Sequence, residues 1–311
     1  ETHALPLPEE GFERNPRWVI FPRRAFEAHR EINERLASIA KDYTADEAFS
    51  RFNPQSEGGT SAAAPELAAA PEFGVAAGGV SAAYAREALS RLEELCAQRG
   101  VSMPAYRFWQ VGTPYPFPAD AADEFARGLK HVIVFEELDH VIEDGLIMRA
   151  GRTHASFDVH GKLTGEARDR GENDVDDILA RLAVYLGVPE LAETDAPASY
   201  EAAVPDQPLP VRPPVLCPGC PHRGSFYAVK RALGKTPAVL CGDIGCYTLG
   251  NAMPLDAVDT CLCMGAGITM AQGFSVAEPQ KKALAFVGDS TFFASGLPGI
   301  VNAVYNGHDF T

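Results

Sequence analysis

The sequence has no apolar run approaching the roughly 20 residues that a bilayer-spanning helix needs, so no membrane anchor is expected within it. It is also short of positive charge: 27 Lys and Arg face 42 Asp and Glu, for a net charge of −15. Nucleic acid and anionic membrane surfaces both require a basic face, so neither is an expected partner. There is no Walker loop, no GxGxxG opening a helix and no GxSxG. The signatures of P-loop enzymes, dinucleotide folds and serine hydrolases are therefore missing. The seven cysteines do not divide into pairs, which argues against a purely disulfide-bonded framework. Six of them (Cys217, Cys220, Cys241, Cys246, Cys261, Cys263) crowd into one stretch of an otherwise ordinary sequence. That usage suggests reduced thiols and a cytoplasmic setting. The opening ETHALPLPEEGFERNP and the ending NAVYNGHDFT read as interior sequence, so a piece of a longer polypeptide is expected.

What is present alternates between strand and helix patterns. Residues 1–55 read as the tail of a preceding domain or a connecting helix, with Ile32, Leu36 and Ile39 at helical spacing. Residues 56–72 are small and Ala/Pro-rich and read as a linker. A first α/β unit is expected over 73–188. FGVAAGG, YRFWQV and HVIVFEEL are its strands. Ser81 is expected to cap a helix running to Arg99, 119–129 to form a short helix, and 174–187 to close the unit after an irregular stretch. Residues 189–214 are a proline-rich spacer, and a second α/β unit starts at 215. The fold class is α/β: two three-layer domains with mostly parallel sheets.

Candidate chemistry concentrates in the second unit. In VGDSTFF, an apolar strand delivers Gly288, Asp289 and Ser290 to the carboxyl end of a sheet, where open α/β sheets bind ligands. The following helix offers free N–H groups to an anion. An aspartate there either caps the helix or ligates Mg²⁺ that bridges to a diphosphate. In CPGCPHR, Cys217 and Cys220 have the spacing of a metal, cluster or redox pair, and Cys246 ends the next strand within reach. Cys241, Cys261 and Cys263 sit in apolar surroundings and read as core residues, as does Cys96 on its helix. His222 reads as a local hydrogen-bonding residue. Glu136 and Glu137 end a strand and read as solvated charges or, at lower weight, an acid–base pair.

Taken in order, CPGCPHRGSFYAVKRAL, CGDIGCYTLG, DTCLCMGAGITMAQG and AFVGDSTFFASGLPGIVNAVYN resemble the thiamine-diphosphate domain of the 2-oxoacid:ferredoxin oxidoreductases. The resemblance is to the alpha subunit of the indolepyruvate:ferredoxin branch. The stretch from GVAAGG to FEELDHVIED resembles that family's transketolase-C-terminal-like domain. The resemblance implies thiamine diphosphate bound by Ile244, Gly245, Cys246, Met264, Gly265, Gly288, Asp289 and Ser290, with Asp289 on Mg²⁺. Ser290 stands where thiamine enzymes generally carry glycine. Cys217, Cys220 and Cys246 match three ligands of a 4Fe-4S cluster in related subunits.

The implied reaction is oxidative decarboxylation of an aryl pyruvate to an acyl-coenzyme A, with electrons passing to ferredoxin and a beta subunit as partner. A second Mg²⁺ ligand is expected after Thr311 and the activating glutamate before Glu1, so the chain by itself is expected to be inactive. The alternatives are an oxidoreductase for another 2-oxoacid such as pyruvate, a thiamine-fold subunit that serves as a docking surface, and a non-enzymatic module holding zinc through its cysteines.

Overall fold

The computed structural model describes residues 13–59, 70–192 and 212–311. Most of the two expected linkers, 56–72 and 189–214, lies outside the described residues. The chain forms two compact units, Glu1–Ala203 and Val204–Thr311.

The first unit is built on five strands: β1 (Gln55–Gly58), β2 (Phe73–Gly78), β3 (Tyr106–Val111), β4 (His131–Phe135) and β5 (Asp158–His160). Their order is β1-β3-β2-β4-β5. All neighbours are parallel except β1, which runs antiparallel to β3. Alternating side chains of a strand face opposite sides of its sheet, and that rule generates the layers. Val75, Ala77, Phe108, Ile133 and Phe135 join one core with Leu89 and Leu92 of the helix Val80–Arg99 and Ile178 and Leu182 of the helix Val175–Tyr185. Ala76, Trp109, Val132 and Val134 face the other way. They pack on Phe125 of the helix Ala119–Ala126 and on Ile142 and Leu146 of the helix Val141–Thr153. Central strands buried on both faces explain the continuous apolar runs in the sequence.

Five details depart from the sequence reading. Residues 56–58 belong to an edge strand rather than a linker. Asn53, 7% exposed, anchors this segment, its Oδ1 accepting from the Gly112 and Thr113 N–H groups at 3.0 and 3.2 Å. Ser81 does not cap its helix. Gly79 takes the N-cap position with φ +58°, and the buried Ser81 hydroxyl instead accepts from Asn173 Nδ2 at 2.9 Å. The stretch read as irregular contains the helix Val141–Thr153. The carboxylate of Glu136 caps that helix, accepting from Ile142 N at 2.9 Å and Glu143 N at 3.0 Å. Glu136 is thus a buried structural acid, 7% exposed, not a solvated strand-end charge. Finally, Cys261 is half-buried and Cys263 exposed, whereas Cys96 and Cys241 are core residues as expected.

The second unit has two parallel strands, β6 (Ala238–Cys241) and β7 (Lys282–Ala285), again between two apolar layers. Phe226 of the helix Pro221–Leu233, Leu240 and Phe286 pack on one side. Val239, Cys241 and Ala283 pack with Ala271 of the helix Ala266–Ala277 on the other. Gly267 sits where this second helix meets the strand exit: a Cβ there would lie 2.7 Å from the Gly242 carbonyl oxygen. The propensity cost of glycine inside a helix thus permits close packing. The mixed α/β class with mostly parallel sheets is as expected from the sequence. Among the described residues, no helix is long and apolar enough to cross a membrane.

Candidate active site

The exits of β6 and β7 carry two copies of one dipeptide, Gly242-Asp243 and Gly288-Asp289. Asp243 is 2% exposed. Its Oδ1 accepts from Gly265 N at 2.9 Å and its Oδ2 from Gly288 N at 3.1 Å. One buried carboxylate therefore ties together three loops: its own, the MGAG loop before the helix Ala266–Ala277, and the turn after β7. A hydrogen bond to a charged group contributes about 1.5–3 kcal/mol, so Asp243 is a principal strut of this corner. Thr248 Oγ1 donates to the Asp243 carbonyl at 2.8 Å and accepts from Gly245 N at 3.2 Å, which closes the first loop on itself.

All eight residues expected to bind the cofactor lie on these three loops. Ile244, Gly245 and Cys246 are exposed on the first; Met264 is exposed and Gly265 half-buried on the second. Gly288, Asp289 and Ser290 form the third, where Asp289 and Ser290 are exposed. Gly265 has φ +87°, a left-handed geometry that favours glycine, and its position would bring a Cβ to 2.7 Å from Ser295 Oγ. Ser295 Oγ in turn donates to the Met264 carbonyl at 3.2 Å. The helical run that starts at Asp289 contains a π-type turn, Phe292–Gly296, before Leu297–Asn306. Such turns recur at functional sites.

The Asp289 carboxylate makes no hydrogen bond or ion pair among the described residues. It stands at the amino end of a helical run beside three glycine turns, and hard oxygen donors of this kind suit Mg²⁺. Asp243, 2% exposed, instead spends both oxygens on backbone N–H groups of the neighbouring loops. Ile244 and Met264, 46% and 51% exposed, leave apolar surface beside these loops.

The cysteine turn is a separate feature of the same unit. Gly219, at φ +71°, turns the chain so that Cys220 N donates to the Cys217 carbonyl at 3.2 Å. Arg223 clamps the turn, its Nε donating to Cys217 O at 3.1 Å and its guanidinium also reaching Leu216 O. Cys220 Sγ lies 3.0 Å from His222 Nδ1, and the His222 ring meets Tyr247, the neighbour of Cys246, edge-on at 4.7 Å. His222 is thus the local hydrogen-bonding residue that was expected, and it joins the two cysteine-bearing segments. Among the described residues, the thiols of Cys217, Cys220 and Cys246 do not close to within 4.8 Å of one another.

Sequence reasoning passed over Asp243. The signal was the repeated Gly-Asp after a parallel strand, in CGDIG and in VGDST.

Residues 243–311 match the family of thiamine pyrophosphate enzymes, C-terminal TPP binding domain, and the match opens on Asp243 itself. The chain is 37% identical over 310 residues to indolepyruvate oxidoreductase subunit IorA of Methanothermobacter thermautotrophicus, across 97% of this chain and 45% of that protein. With the subunit of the same name from Archaeoglobus fulgidus it shares 33% identity, across 98% of this chain and 45% of that protein. The chain is similar to this family of subunits over nearly all of its own length. It spans a little under half the length of both relatives. A 2-oxoglutarate:ferredoxin oxidoreductase from Magnetococcus marinus is 15% identical at a TM-score of 0.34, over 54% of this chain and 24% of that one, a likeness too slight to argue from. Within the family match, the loops after β6 and β7 and the MGAG loop are the segments that Asp243 joins.

Proposed function

We propose that this chain supplies the thiamine-diphosphate-binding domain of an oxidoreductase that decarboxylates aryl pyruvates, indolepyruvate foremost, to the acyl-coenzyme A. One observation carries the reading: an unpartnered carboxylate, Asp289, stands among loops that a second, buried carboxylate holds in place. When bound, thiamine diphosphate provides the carbon nucleophile and electron sink for loss of CO₂ from a 2-oxoacid. Asp289 would hold Mg²⁺, whose charge would offset the repulsion between this carboxylate and a diphosphate. The backbone N–H groups at the start of the helical run would donate to the same anion. Ile244 and Met264 would offer the cofactor apolar surface, Gly245, Gly265 and Gly288 would let the backbone approach it, and Cys246 and Ser290 would line it. Residues 73–188 act as the transketolase-C-terminal-like domain and 215–311 as the cofactor domain, and 1–55 are the tail of a preceding domain or a connecting helix.

Ferredoxin takes the electrons, coenzyme A takes the acyl group and a beta subunit completes the enzyme in the cytoplasm. A 4Fe-4S cluster in the full subunit, with Cys217, Cys220 and Cys246 as ligands, belongs to the same proposal. The test is an anaerobic assay of the polypeptide carrying this sequence, co-expressed with its partner subunit. Indolepyruvate with coenzyme A, thiamine diphosphate and Mg²⁺ is expected to reduce ferredoxin faster than pyruvate or 2-oxoglutarate does. Preference for pyruvate would overturn the substrate assignment, and turnover indifferent to thiamine diphosphate would overturn the whole reading.

A further inference from the structure

A second cluster of ligating side chains lies in the other unit, unconnected with the thiamine reading. Parallel pairing of β4 with β5 sets His131 beside Asp158 and Ile133 beside His160. Residues two apart on a strand share a face, so His131, Asp158 and His160 meet on one face at the sheet's β5 edge. His131 Nδ1 lies 2.8 Å from Asp158 Oδ1, and His160 Nε2 lies 3.5 Å from the same oxygen. The three ligand atoms all fall within 4.8 Å of one another, and no other trio of His, Cys, Asp or Glu does so among the described residues.

The far side of His160 is also occupied. Its Nδ1 lies 3.1 Å from Glu166 Oε1. A neutral imidazole has one N–H and one lone pair. If Glu166 takes the N–H, Nε2 turns its lone pair toward the Asp158 carboxylate. Two acceptors facing each other need a proton or a metal ion between them. A carboxylate behind a histidine is also the usual device that fixes the ring and tautomer of a metal ligand. Bonds of about 2.0–2.1 Å in a tetrahedron put neighbouring ligand atoms about 3.3 Å apart, and the observed 2.8 and 3.5 Å bracket that spacing. The site opens on a cavity of 680 Å³ that His131 and His160 line together with Phe73, Ile133, Arg181 and Tyr185.

We infer that His131, Asp158 and His160 form a three-ligand site for a divalent transition metal of the zinc class, with a fourth position open to the cavity. Two imidazoles and a carboxylate suit that class, and three protein ligands with one open position is the arrangement of reactive rather than sealed zinc sites.

The test is calorimetric titration of Zn²⁺ into the chain with Cys217, Cys220 and Cys246 changed to serine, so that thiols do not compete. One equivalent is expected to bind. Asp158→Asn and His160→Gln should each abolish it, and Glu166→Gln should weaken it about 10- to 100-fold. Co²⁺ should give the visible bands of a four- or five-coordinate nitrogen–oxygen site. All four side chains are partly exposed, so the variants should fold, and circular dichroism melts without metal check this. If His160→Gln unfolds, the near-isosteric Asp158→Asn decides. Failure of the thiol-free chain to take up zinc, with a proton completing the His160–Asp158 contact, would overturn the site. So would an equivalent that survives both ligand changes.

Discussion

Two corners of the second unit carry the same Gly-Asp dipeptide after neighbouring parallel strands, yet the two aspartates live opposite lives. Asp243 is buried and gives both oxygens to backbone N–H groups of the other loops. Asp289 is exposed, and its carboxylate has no partner among the described residues. Local sequence does not separate them; position in the sheet does. The loop after β6 turns inward between the MGAG loop and the β7 exit, whereas the turn after β7 starts a helical run at the surface. The first aspartate holds the site's shape, and the second is left over for a ligand.

The strongest way to break that comparison is Asp243→Ala. It strands two half-buried N–H groups, and a cost of about 3 kcal/mol is expected, read by urea unfolding of the second unit. Asp243→Asn keeps one acceptor and should fall between Ala and wild type.

Asp289→Asn should do the reverse. Without ligand, stability should stay within about 0.5 kcal/mol of wild type, as for an exposed change. With Mg²⁺ and thiamine diphosphate at 100 times the dissociation constant, the wild type should gain about 2.7 kcal/mol and the variant almost nothing.

Gly265→Ala sharpens the account of how the loops meet. A side chain at φ +87° beside Ser295 Oγ should cost about 1–2 kcal/mol, and Ser295→Ala should recover part of it.

The smallest effect calibrates carboxylates outside either corner. Burial pushes the Asp177 carboxyl up, but hydrogen bonds from Arg181 and Arg168 outweigh this and hold it below the ordinary aspartate value of 3.8. A carboxyl held low in the folded protein contributes stability above its unfolded value and loses it as the pH falls through the folded one. Asp177→Asn should therefore cost about 1 kcal/mol near neutral pH, and the gap should close only below pH 3.8. A gap that widened in acid would contradict the assignment.

Much of this was legible in the sequence, for physical reasons that differ by residue. β2 and β4 announced themselves because strands buried on both faces are apolar runs, β3 because the prolines of TPYPFP end its aromatic stretch, and the helix Pro221–Leu233 because Gly234 stops it. The helix Val141–Thr153 was hidden because its cap comes from Glu136 on the preceding strand, not from its own N-cap residue His140. Gly145 also weakens the local pattern, although a Cβ there would strike the Phe117 ring. Asp243 was overlooked because its role lies in hydrogen bonds to loops 22 and 45 residues away. The His131–Asp158–His160 cluster was invisible because only strand register brings it together.

The most direct test of the division between the two aspartates is a thermal melt of the full subunit with its partner, as wild type and as Asp289→Asn. Each would be run with thiamine diphosphate plus Mg²⁺ and again with chelator in place of the metal. The wild type should be stabilised only when cofactor and metal are both present, and Asp289→Asn should melt alike in both conditions. Full metal-dependent stabilisation of Asp289→Asn would contradict the account.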